Sequence, residues 1–276
     1  DEKILGKWLS HQITNYKKKI YNMKDKEIYE AWTKFITDPK YKKYFDTNKI
    51  PKKDMSKSDI KPKKSEQQIK VERQQRVQSE LSQLHQKYKT INSQNLANLF
   101  KESPNLWHEY HKISEENEES FPEEEIPRNL IIQYLDNLPG NKSKIIVDMG
   151  CGHAYINRHF QDNERFTFHN FDHIAANELV TVKDISNTGL DDYSVDIAIL
   201  SLAMWGSNCK DYISEAYRIL DKGGQLLIIE PFKRWNNLAD ENDTPVNRLK
   251  QILTHNNFTI MEEEIKKFMF FKCFKY

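Results

Sequence analysis

The sequence predicts an α/β fold built on a doubly wound, mostly parallel seven-stranded sheet with an antiparallel edge. A small helical module and a basic linker precede it. Three observations lead there. The β-branched run Ile145, Ile146 and Val147 ends in Asp148 and then in Gly150 and Gly152; such a run suits a strand buried on both faces, and the glycines suit a tight turn against a ligand. Strand patterns then alternate with helical ones as far as residue 256. Finally, Phe258–Glu264 and Phe268–Lys275 lie close enough in sequence to pair as an antiparallel edge.

From the amino end, residues 3–45 have a helical pattern. Apolar residues recur at helical spacing through Ile4, Leu5, Trp8, Leu9, Ile13 and Tyr16. Asp25 can cap a second helix that carries Ile28, Tyr29, Trp32, Phe35 and Ile36, and Asp38-Pro39 breaks it. Residues 46–65 combine prolines and lysines with little apolar content, as a flexible basic linker or a nuclear targeting signal does. Residues 1–65 hold 18 Lys against 9 Asp plus Glu, a local charge of about +9 in a chain whose net charge is +1. A basic arm of this kind points to a polyanionic partner such as nucleic acid.

From Glu66 to about Phe100 a Gln- and Lys-rich stretch lacks Pro and Gly, so a helix is expected. Val71, Val77, Leu81 and Leu84 give it only a sparse apolar stripe, the mark of an exposed or partner-bound helix. Aromatic density returns with Phe100, Trp107, Tyr110 and His111, which places the start of the folded domain near 95. The expected organisation is therefore 1–45 helical module, 46–94 linker and polar helix, and 95–276 α/β domain.

Within that domain, Ile126–Leu138 is an amphipathic helix that Pro139-Gly140 ends. The opening strand and glycine turn follow, then a helix over His153–Phe160. Further strands are expected at Phe166–Phe171, Leu179–Val182, Val195–Leu202 and Gln225–Glu230. Helices are expected at Asp211–Leu220 and near Pro245–Asn256, with a turn at Asp221-Lys222-Gly223-Gly224.

Ligands of doubly wound sheets sit at the carboxyl ends of the strands. Asp148, Asp172, Asp184 and Ser201 each fall at such an end. A carboxylate some 20 residues beyond the glycine turn, here Asp172, can accept ribose hydroxyls. Asp184 with Ile185 suits an adenine. Tyr155 stands where a dinucleotide fingerprint has its third glycine, and no Gly-Lys-Ser/Thr follows, so neither that fingerprint nor a Walker loop is present. The three cysteines and the histidines show no metal spacing, and no metal site is expected. Widely spaced cysteines suit a reducing compartment. With no apolar run of about 18 residues and no signal-peptide pattern, the chain is expected to be soluble and intracellular, without a membrane partner.

The order Val-Asp-x-Gly-x-Gly, Phe-Asp, Asp-Ile and Leu-x-x-Gly-Gly-x-Leu-x-Ile resembles class I S-adenosylmethionine-dependent methyltransferases, whose fold is Rossmann-like. The segments Leu99-Phe100-Lys101-Glu102-Ser103-Pro104, Tyr110-His111-Lys112, Leu202-Ala203-Met204-Trp205-Gly206-Ser207-Asn208 and Phe270-Phe271 make the likeness narrower. Over about 95–276 the chain resembles the ribosomal RNA-processing protein 8 (nucleomethylin) family. That resemblance implies an N1-methyladenosine mark in large-subunit ribosomal RNA, nuclear and nucleolar location, and S-adenosyl-L-methionine as cofactor. It also implies cofactor contacts at His111, Gly150, Asp172, Asp184, Ile185 and Ser201. The chain departs from the family pattern at His153, Ser201 and Glu230-Pro231. The first 45 residues resemble helicase-associated helical repeats, which implies nucleic-acid contact. Residues 1–100 also suit a protein or DNA partner.

No catalytic base is assigned, because adenine N1 already carries a lone pair; Asn208 and Glu230 are candidates by position alone. Two alternatives remain at this level. One is a non-catalytic nucleic-acid or chromatin-binding subunit that retains the fold, and the other is a methyltransferase with a different substrate.

Overall fold

The computed structural model describes residues 65–235 and 244–276. The expected helical module, the helicase-associated likeness and the basic linker as far as residue 64 lie outside these residues. The described elements are α1 (Glu66–Tyr88), α2 (Ser93–Glu102), α3 (Pro104–Glu118), α4 (Pro127–Asp136), β1 (Lys144–Met149), α5 (Tyr155–His159), β2 (Phe166–Asp172), β3 (Val180–Val182), β4 (Val195–Ser201), α6 (Cys209–Ile219), β5 (Leu220–Pro231), α7 (Pro245–His255), β6 (Phe258–Ile265) and β7 (Phe268–Lys275).

The seven strands form one sheet in the order β3-β2-β1-β4-β5-β7-β6. The first five run parallel, and β7 joins antiparallel to β5 with β6 outside it. The order reverses direction between β1 and β4, which opens the crevice where ligands of such sheets bind.

Apolar runs without alternation follow from burial on both faces. Along β4, Ala198 and Leu200 join one core cluster with α6 and α7, while Ile197 and Ile199 join the other with α4 and α5. Residues of β5 divide the same way, Leu226 and Ile228 against Leu227 and Ile229. The outer strand β6 is exposed over most of its length and carries Glu262, Glu263 and Glu264, charges that blunt a free sheet edge.

Several expected boundaries move. Asp221–Gly224 is carried within β5: Val195 pairs with Leu220 and Ile197 with Gln225, so the four residues loop out as a bulge. The first crossover helix is only Tyr155–His159, because Ala154 before it takes a left-handed φ of 54°.

The larger correction concerns 66–100. This segment is two helices rather than one, and α1, exposed over most of its length as expected, nevertheless packs into the folded body. Ser65 and Gln68 form a capping box at its start. Val77 and Tyr88 are buried, and Tyr88 joins Leu96, Phe100 and Trp107 in a third apolar cluster. Arg73 and Arg76 reach Glu116 on α3 at 2.7 and 3.2 Å. Of the expected stripe, Val71 stays exposed. Polar contacts to α3 and two buried side chains hold this helix, which an apolar-periodicity argument does not register.

Candidate active site

The glycine turn after β1 leaves no room for side chains. Gly150 has a φ of +84° and its N–H donates to Phe171 O at 2.8 Å, so the turn is laced to the end of β2. A Cβ on Gly150 would lie 2.7 Å from Ala203 Cβ, and one on Gly152 would lie 2.9 Å from His111 Cε1. Only glycine fits a backbone pressed this closely on both sides.

Asp172, at the end of β2, is buried and accepts three hydrogen bonds. Trp107 Nε1 and the His173 N–H each donate to Oδ1 at 2.7 Å, and the Gly152 N–H donates to Oδ2 at 2.8 Å. A carboxylate has about four acceptor sites, so about one is left for a ligand hydroxyl. Trp107 is only 1% exposed, and the His111 ring lies over it at 3.8 Å. Burial lowers the His111 pKa to about 4, against the pull of Asp172, so its imidazole is neutral at physiological pH.

Asp148 is buried in the same place. Burial first, and the Asp172 charge second, push its pKa up to about 7. A carboxyl poised at neutrality in a cavity wall is suited to a cationic ligand.

One cavity of about 160 Å³ gathers most of the expected residues, where a single water needs only about 10–15 Å³. His111, Gly150, Asp172, Ile185 and Ser201 all line it. Asp184 does not. Its Oδ2 accepts from Ser93 Oγ at 2.8 Å, and its Oδ1 from the Ser186 N–H and Oγ at 2.9 and 2.8 Å. Asn208 belongs to the same network, donating from Nδ2 to Ser93 Oγ at 3.0 Å. Glu230 is buried and accepts from the Met204 N–H at 3.1 Å. Neither Asn208 nor Glu230 lines the cavity.

The cavity also has residues the sequence did not single out: Tyr88 from α1, and the ion-paired Glu118 and Arg128 from α3 and α4. Burial raises the Glu118 pKa against the pull of Arg128. Tyr88 ends a polar helix and Glu118 sits in an acidic run, so neither carried a local signal.

Three of the lining residues have a buried side-chain atom without a hydrogen-bond partner: Tyr88 Oη, His153 Nδ1, which stands 3.7 Å from Glu115 Oε1, and His173 Nδ1. Buried polar groups are nearly always paired, so orphans gathered around one cavity call for a ligand. The donor set fits a nucleoside carrying a positive charge. Asp172 has about one acceptor site open, Ile185 is apolar and buried, Asp148 favours a cation, and the glycine turn admits close approach. Among the described residues no group of three or more His, Cys, Asp or Glu could hold a metal ion.

Comparison with known proteins puts this body in a family. A model described as "Hypothetical methyltransferase" matches residues 68–275. A Schizosaccharomyces pombe protein named 25S rRNA (adenine(645)-N(1))-methyltransferase is 35% identical over 55% of this chain and 49% of its own length. The Arabidopsis thaliana ribosomal RNA-processing protein 8 is 36% identical over 58% of this chain and 54% of its own. A Saccharomyces cerevisiae protein, also named 25S rRNA (adenine(645)-N(1))-methyltransferase, is 35% identical over 53% and 44%. The chain spans about half the length of these curated relatives. The family match runs from α1 to β7 and takes in every strand end that lines the cavity, and on that ground the chain belongs to this methyltransferase family.

Proposed function

We propose that this chain is an S-adenosyl-L-methionine-dependent RNA methyltransferase that forms N1-methyladenosine in large-subunit ribosomal RNA and works in the nucleolus. The observation that carries this is the coincidence of the family match with a cavity built at the strand ends around Gly150, Asp172 and Ile185. The names of the yeast relatives supply the substrate.

When bound, the cofactor supplies a methyl group on a sulfonium, open to direct displacement. The protein's own part is placement and removal of water. Asp172 offers its remaining acceptor site to a ribose hydroxyl. Ile185 gives an apolar surface to the adenine, Gly150 and Gly152 let the backbone close in, and Asp148 balances positive charge. His111 closes the cavity from α3 as a neutral ring packed at a tilt against Trp107. Adenine N1 attacks with its own lone pair, so no side chain has to remove a proton first. The basic arm before residue 65 holds the RNA.

Calorimetry with S-adenosylmethionine tests the first half: saturable binding is expected, and no heat at high ligand concentration would rule out an active enzyme. Mapping N1-methyladenosine in ribosomal RNA of cells lacking the protein tests the second. Loss of one mark is expected, and an unchanged map would sink the ribosomal assignment.

A further inference from the structure

Tyr88 lines the cavity from α1, whereas every other lining residue comes from 96 onward. It is 3% exposed, and its hydroxyl has no hydrogen-bond partner. An unpaired buried hydroxyl is costly unless something arrives to pair with it. Burial raises its pKa, so the phenol is neutral and can both donate and accept.

Its ring belongs to a wall assembled from three distant parts of the chain. Tyr88 meets Tyr110 of α3 edge-on at 6.3 Å, and Tyr110 meets Trp205 edge-on at 5.8 Å. His85, one turn earlier on α1, lies 3.8 Å from the Trp205 ring. Trp205 follows β4, and its Nε1 donates to Leu202 O at 2.6 Å. Leu202 holds a left-handed φ of 55°, a costly conformation for a branched residue of the kind that gathers at functional sites. Gly150, Asp172 and Ile185 contribute to the cavity from β1, β2 and the loop after β3. Tyr88, Tyr110 and Trp205 contribute to it from the preceding helices and the segment after β4.

We propose that Tyr88, Tyr110 and Trp205 form the seat of the methyl-accepting base, a purine that lies against these rings and takes a hydrogen bond from or to the Tyr88 hydroxyl. The choice of adenine as that purine rests on the RNA reading above. The chemistry suits a base taken out of its stack. It loses stacking and pairing partners, and it regains an aromatic surface and a polar contact for its edge. The same seat explains why the family match begins inside α1, ahead of the sheet.

The test uses the full chain saturated with S-adenosylhomocysteine, so that added adenosine cannot enter the cofactor site. Adenosine at millimolar concentration is expected to change the tryptophan fluorescence saturably. Tyr88→Phe keeps the ring and removes only the unpaired hydroxyl, so its unfolding midpoint should equal or exceed that of the wild type. The variant is expected to bind adenosine at least about fivefold more weakly, with S-adenosylhomocysteine affinity within twofold. Absence of saturable adenosine binding, or equal binding by both proteins, would overturn the proposal. A parallel loss of S-adenosylhomocysteine affinity would also overturn it by placing the hydroxyl in the cofactor site. If the variant loses adenosine while the wild type transfers no methyl group to ribosomal RNA, the seat stands and the RNA reading falls. If both proteins methylate RNA equally fast, the RNA reading stands and the seat falls.

Discussion

At Asp148 the chemistry of the site becomes a pH dependence. Its folded-state pKa of about 7 lies above the ordinary 3.8. Between those values the folded state keeps a proton that the unfolded state releases, so this group makes stability fall as pH rises from about 4 to about 7. The displacement sets a ceiling of about 4 kcal/mol. His111 opposes it: with its pKa lowered to about 4 from 6.5, stability falls as pH drops through that window. Asp148→Asn isolates the first effect. Relative to wild type, its unfolding midpoint should gain progressively between pH 4 and 7 and then level off. A bound cation favours the carboxylate, so S-adenosylmethionine affinity should tighten as pH rises through about 7, and calorimetry on the variant should show that slope gone. An identical slope in both proteins would remove Asp148 from the site. Asp172 holds the framework through three hydrogen bonds, and the proposed function gives it a ligand as well. Asp172→Ala strands the Trp107, Gly152 and His173 donors, at about 1–3 kcal/mol for each one left unpaired. It should therefore lower the unfolding midpoint as well as abolish cofactor binding, and leave RNA affinity in filter binding nearly intact. Cofactor binding at wild-type strength would contradict the assignment.

Between elements, the least visible joint is the one that holds α2 to the sheet. Ser93 at the start of α2 is buried. Its hydroxyl donates to Asp184, its N–H donates to Asn208 Oδ1 at 2.8 Å, and its oxygen accepts from Asn208 Nδ2. Ser93→Ala leaves two polar side chains short of a partner, and urea unfolding should show a loss of about 1–3 kcal/mol with an unchanged slope. A change within error would mean that water takes over the hydroxyl's place. The same joint marks how far sequence reasoning reached. The central strands β1, β4 and β5 were legible because burial on both faces writes a continuous apolar run. The strand-end residues Gly150, Asp172 and Ser201 were legible because the topology dictates where strands end, and Ile185, in the loop after β3, through the family resemblance. Asp184 was legible as a strand-end carboxylate but not as the partner of a serine 91 positions away. Helix α1 was legible as a helix but its docking was not, because salt bridges to Glu116 and two buried side chains hold it, not a stripe. Tyr88 was hidden with that docking, since an orphaned hydroxyl exists only once the helices are packed.

Across the whole chain, charge is divided against the geometry. Residues 1–65 carry about +9 and the full chain +1, so residues 66–276 carry about −8. A body of that sign repels a phosphate backbone at long range, yet it contains the cavity. Under the proposed RNA methyltransferase function, the amino-terminal arm is the part of the chain whose charge attracts RNA. Among the described residues no helix is long and apolar enough to cross a membrane. Attraction of this kind works through release of counterions, so binding strength falls with salt at a slope of about −0.7 per phosphate neutralised on a single strand. Residues 64–276 form a compact unit of their own, so a chain lacking residues 1–63 should keep its cofactor affinity. Its RNA binding should weaken most at low salt, and the plot of log affinity against log salt should lose most of its slope. Equal slopes for the two proteins would shift RNA capture onto the folded body, where Lys183 at the cavity and the exposed lysines of α1 would be the next residues to substitute.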